Sequence, residues 1–167
     1  MELQQDVLTW LIILPLVLAA FRVITIGDRL YEPTATGRPG GESSAQSSVL
    51  MAGLVFVGIT VVISNLSSEL LGRLGIGVLM LSFGAFVLSH YILGFRRKVW
   101  HSFLGAALQE AAYFWLVIGV ARVTLDSGAT GDQSEVQAAI WIVVVTVSVA
   151  LIAGTAARMF RPVPGEA

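Results

Sequence analysis

The sequence predicts an all-α fold: a polytopic membrane protein, a bundle of five transmembrane helices with the amino terminus outside and the carboxyl terminus inside. Three observations predict it. The 167-residue chain is 56% hydrophobic and only 13% charged, where a soluble domain carries about 25% charged residues. The charges gather in short segments, and the apolar runs between them are long enough to cross about 30 Å of hydrocarbon. The basic residues also fall unequally on the two faces that alternating spans define.

A helix needs about 20 apolar residues to span a bilayer. Five segments of one transmembrane domain, residues 1–167, meet that length: Val7 to Gly27, Val49 to Ser67, Leu74 to Phe95, Ser102 to Thr124, and Val136 to Phe160. The first opens on the acidic "MELQQD" and lacks the basic start and small-residue cleavage site of a secretory signal. It reads as a retained helix kinked near Pro15. Residues 28–48, "DRLYEPTATGRPGGESSAQSS", are rich in Gly, Ser and Pro and predict a flexible cytoplasmic loop. The "GRPGG" within it lacks the Gly-Lys-Ser/Thr ending of a phosphate loop. "SSELLGRLG" predicts a tight hairpin, and the tail "RPVPGEA" a disordered end.

Orientation follows from the basic loop "RRKVWH". With that loop in the cytoplasm, the same face collects Arg22, Arg29, Arg38, Arg96, Arg97, Lys98, Arg158 and Arg161. The opposite face keeps Arg73 and Arg122, together with Glu2, Asp6, Asp126, Asp132 and Glu135. Short cytoplasmic loops hold the excess of Lys and Arg, which sets the topology.

Composition also excludes chemistry. There is no cysteine, so disulfides, thiolate metal sites and cysteine nucleophiles are absent. Two histidines, His90 and His101, offer little material for a metal, and a haem held between helices would need a second ligand at a suitable position. The net charge of −1 gives no pointer to nucleic acid. Lys98 is the single lysine among ten basic residues, a bias that suggests a GC-rich prokaryotic genome. No metal cluster, nucleophile–base pair or paired acidic motif points to an enzyme, and no cofactor is expected.

Small residues map helix interfaces in lipid, because they let backbones approach. The second span carries Gly53, Thr60, Ser64 and Ser67 on one stripe. The third carries two series, Gly75–Ser82–Ser89 and Gly77–Gly84–Tyr91, and is expected at the centre of the bundle. The fifth offers Ala150, Gly154 and Ala157. Trp10, Tyr91, Trp100 and Trp141 are expected as interfacial anchors.

Ionisable groups inside a membrane are costly and are functional candidates by default. Arg22 lies roughly 7 to 8 Å from its span end, close enough to snorkel. Arg122 lies near the other surface. His90, on a face with Phe83, Phe86 and Gly94, has an imidazole suited to proton relay or to a hydrogen bond between helices. Glu110 is deeper, at roughly 12 Å. A carboxyl there either carries its proton or meets a partner. Its helix face includes Phe103, Ala106, Ala107, Tyr113, Phe114 and Val117, and the two alanines allow another helix to approach. Arg22 and His90 share its half of the bilayer, so Glu110 is expected to pair with one of them. With Gln109, Tyr113, Ser82, Ser89 and Asn65 it outlines either a buried polar staple or a small-ion route.

The function expected from these residues is a non-catalytic subunit or scaffold of a membrane complex, or a homo-oligomer, held by a buried polar contact at Glu110. The alternative is a small proton- or cation-conducting transporter or channel that uses Glu110 and His90. The expected partners are the lipid bilayer and either further copies or other membrane subunits, and the expected place is a cell membrane.

Overall fold

The structure is a computed structural model and describes residues 2–26, 40–65, 73–94, 99–126 and 134–159. All of them except the turn at Ile12 and Ile13 are helical. The helices are α1 (Glu2–Leu11), α2 (Leu14–Ile26), α3 (Gly40–Asn65), α4 (Arg73–Gly94), α5 (Val99–Asp126) and α6 (Ser134–Met159). Four stretches are long and apolar enough to cross a membrane: Asp6–Thr25, Leu74–Gly94, Trp100–Leu125 and Glu135–Gly154. Helix α3 carries a shorter apolar stretch, Gln46–Val61.

One boundary differs from expectation, and the first apolar stretch breaks where a kink near Pro15 was expected. Helix α3 begins at Gly40, inside the segment read as a loop. Composition there favours a loop, but packing favours helix. Ser48, Ala52, Val55 and Ile59 are buried at helical spacing, so the serine end of the segment continues the stripe of the apolar end. The first span breaks at Ile12 and Ile13, one turn before Pro15. Proline has no N–H to give the carbonyl four residues back, and that carbonyl belongs to Leu11. Residues 27–39, 66–72, 95–98, 127–133 and 160–167 lie outside the described residues. They include most of the segment expected as a hairpin, Ser67, the tail, and the basic residues Arg29, Arg38, Arg96, Arg97, Lys98 and Arg161 on which the orientation rests.

The third span was expected at the centre, but α5 holds that place. It packs against α1, α2, α4 and α6, whereas α4 lies between α3 and α5. The fully buried Phe114, Ala112 and Ile118 of α5 meet Phe86 and Val78 of α4 and Val144 of α6 in one apolar core. The apolar helices are compatible with a membrane, and in lipid such packing is driven by close van der Waals contact.

Glycines set the approach of α4 to α5. A Cβ added at Gly75 would sit 2.8 Å from Val123, and one at Gly119 2.7 Å from Leu79. At Gly105 it would meet Leu93 at 2.5 Å. Two hydroxyls reinforce the seam: Ser82 Oγ donates to the Ala112 carbonyl and Ser89 Oγ to the Gly105 carbonyl, each at 2.7 Å. As these contacts advance along α4 they retreat along α5, so the pair is antiparallel. The described glycines of the other small-residue series lie away from close helix contacts. Gly53, Gly77, Gly84 and Gly154 have open space where a Cβ would stand. Thr60 and Ser64 are exposed and bond carbonyls of their own helix. Trp10 is 73% and Tyr91 62% exposed. Trp141 packs against the core, with its Nε1 buried and no hydrogen-bond partner among the described residues.

Candidate functional site

The first span faces the bundle along one stripe. Leu8, Pro15 and Arg22 are its buried side chains among those described, seven residues apart in each step. Two helical turns separate Pro15 from Arg22 on α2, so these two point to one side; Leu8 is buried on α1, across the break. That side meets α5 and α6. Arg22 is therefore carried into the interior by the register of α2 that buries Pro15.

On α5, Phe103, Ala107 and Glu110 share a face through spacings of four and three. Ala107 and Ala111 are small enough to admit the long guanidinium. Arg22 lies along this face. Its Nη1 stands 3.1 Å from Glu110 Oε2, and its Cζ lies 4.8 Å from the centre of the Phe103 ring. The Arg22 side chain is 9% exposed and that of Glu110 23%. Charge, hydrogen bond and ring face thus act on one cation. Beside them a cavity of about 10 Å³ is lined by Pro15, Ala19, Arg22, Ala107, Glu110 and Leu151, roughly the space of one water.

The remaining candidate residues distribute around this pair. Ser82 and Ser89 are completely buried, and their protons are held by α5 carbonyls. Gln109 Nε2 donates to Ser47 Oγ at 3.1 Å, tying α5 to α3. Tyr113 is 38% exposed and meets Phe86 edge to face at 4.9 Å. His90 is exposed on α4. It follows Ser89 by one residue, a turn of about 100° around the helix, so it does not share the face that Ser89 presents to α5. His101 stacks on Trp100 with ring centres 3.9 Å apart. The Asn65 side chain lies outside the described residues. Among the described residues no group of three His, Asp or Glu side chains could hold a metal ion.

Two participants escape a reading of the sequence. Ser47 falls in the segment that looks like a loop. Trp115 donates its indole N–H to the Ile12 carbonyl at 2.8 Å, at the break in the first span. Pro15 is the signal that could have found it, since a proline frees carbonyls one turn back and a neighbouring helix must satisfy them in lipid. The chain matches no protein-family model, no curated protein and no solved structure.

Proposed function

We propose that the chain is a five-span integral membrane protein, amino terminus outside, that serves as a non-catalytic subunit or scaffold of a membrane complex or as a homo-oligomer. In this reading Arg22–Glu110 is a staple that fixes the first span against the fourth. One observation carries it: among the described residues, the polar side chains around Glu110 are bonded to protein, while the indole N–H of Trp141 stands apart from them without a partner. Arg22 bonds Glu110, Ser82 and Ser89 bond carbonyls, and Gln109 bonds Ser47. A conducting path needs polar atoms turned toward a shared channel, and here they are turned toward helix neighbours. The apolar stretch of α3 is shorter than the other four. Its crossing rests on the full 26-residue helix, which at about 1.5 Å per residue exceeds the hydrocarbon thickness.

The mass of the purified particle in a mild detergent tests this proposal. A stoichiometric partner or a defined homo-oligomer is the expected result, and a monodisperse monomer contradicts it.

A second reading, a proton or cation conductor built on Glu110 and His90, is favoured by the water-sized cavity against the Glu110 carboxylate. Flux in proteoliposomes that disappears in Glu110→Gln would establish it in place of the first.

A further inference from the structure

We infer that the first span works as two elements: a fixed half, α2, and a hinged half, α1, which swings about Ile12–Ile13 and is latched by the indole of Trp115. The helical ladder fails at this one place. Pro15 has no N–H for the Leu11 carbonyl. The Leu16 N–H bonds the Ile13 carbonyl at 3.0 Å, three residues back, instead of that of Ile12. On the other side of the break, the N–H groups of Ile12 and Ile13 take the carbonyls of Thr9 and Trp10 at 3.2 Å each. These are the tightened bonds of a helix that is ending. Carbonyls at the break therefore lose their usual donors, which is costly within hydrocarbon.

Trp115 supplies one replacement, its Nε1 bonding the Ile12 carbonyl at 2.8 Å. The bond sits on the hinge itself. Beyond it the two halves are held very differently. Helix α2 packs against both α5 and α6 and is pinned by Arg22 to Glu110 and Phe103. Helix α1 packs on α5 and α2 through Leu8, 2% exposed, and the partly buried Leu11 at its end. A short helix with a smaller contact on the bundle, joined to a pinned helix through a two-residue break, is the arrangement in which terminal residues absorb a change of backbone angle.

The chain contains no cysteine, so spin labels can be placed without removing any native group. Val7→Cys with Val120→Cys reports α1 against α5, and Ile24→Cys with Leu104→Cys reports α2 against α5; all four side chains are exposed. Distances are read by electron–electron double resonance on the full chain in lipid nanodiscs. Trp115→Phe keeps a ring and removes the N–H. It is expected to raise the displaced population of the Val7–Val120 pair about three- to ten-fold, the weight of one hydrogen bond. The Ile24–Leu104 distribution stays unchanged. Pro15→Ala restores a donor for Leu11 and is expected to narrow the Val7–Val120 distribution. Equal displacement of both pairs in Trp115→Phe overturns the inference, since the span would then be one rod. So does a Val7–Val120 distribution that neither substitution alters. Should Trp115→Phe fail to fold, Pro15→Ala decides alone, and the absence of narrowing overturns the hinge.

Discussion

Arg22 and Glu110 stand 88 positions apart in the chain and 3.1 Å apart in space. The contact joins α2 to α5 across the interior of the bundle, and Phe103 covers the guanidinium from a third direction. Each charge alone would be costly when buried to this extent. Together they fix the rotation of α2, because Arg22 reaches Glu110 in the same register that buries Pro15.

The seam between α4 and α5 predicts opposite signs for two glycine substitutions. Gly119→Ala places a methyl 2.7 Å from Leu79 and 3.2 Å from its backbone nitrogen. Overpacking of this kind costs about 1 to 3 kcal/mol, so a lower unfolding midpoint is expected. Gly84→Ala meets nothing within 4 Å. It gains helix propensity of up to about 1 kcal/mol and is expected to hold or raise the midpoint. Thermal unfolding followed by tryptophan fluorescence measures both.

Hydroxyls predict a similar contrast. Ser89→Ala removes a bond between two helices, worth about 0.6 to 1.7 kcal/mol inside a membrane bundle. Thr60→Ala removes a bond within one helix at an exposed position and is expected to change stability by less than about 0.5 kcal/mol. Equal losses in a denaturant titration would mean that Ser89 does not secure the seam.

Phe103 is expected to matter through its ring. Phe103→Leu keeps an apolar side chain and removes the face over Arg22, a loss of about 1 kcal/mol. His90→Ala, at an exposed position on α4, is expected to leave stability within about 0.5 kcal/mol. Comparing the two unfolding midpoints checks the assignment, and a larger loss at His90 would relocate the polar contact that matters.

The apolar runs made most of the helices readable, because a span must be long, apolar and free of charge whatever it packs against. The start of α3 was not, since Gly40 to Ser48 has the composition of a loop and its helical form rests on Ser47 and Ser48 meeting the bundle. The centre of the bundle was not readable either. Gly75, Ser82 and Ser89 look no different in sequence from Gly77, Gly84 and Tyr91, yet the first series faces α5 and the second faces outward. Glu110 drew attention through its depth alone. Which cation meets it depends on helix rotation, and one residue decides that for α4: with Ser89 turned to the Gly105 carbonyl, His90 turns away. Trp115 hid because an indole on a greasy helix resembles any other apolar residue until the missing donor at Pro15 is considered.

A double-mutant cycle on Arg22 and Glu110 tests the central claim, that this pair is a structural staple. Stability is measured by reversible unfolding in detergent for Arg22→Leu, Glu110→Leu and the double variant. Removing one partner of a buried pair costs about 3 kcal/mol or more, whereas replacing both by apolar side chains is close to neutral. Glu110→Leu is expected to be the worse single change, because a stranded carboxyl can take a proton and a guanidinium cannot lose one. The staple predicts two destabilised single variants and a double variant within about 1 kcal/mol of the native chain. Losses that simply add in the double variant would contradict it.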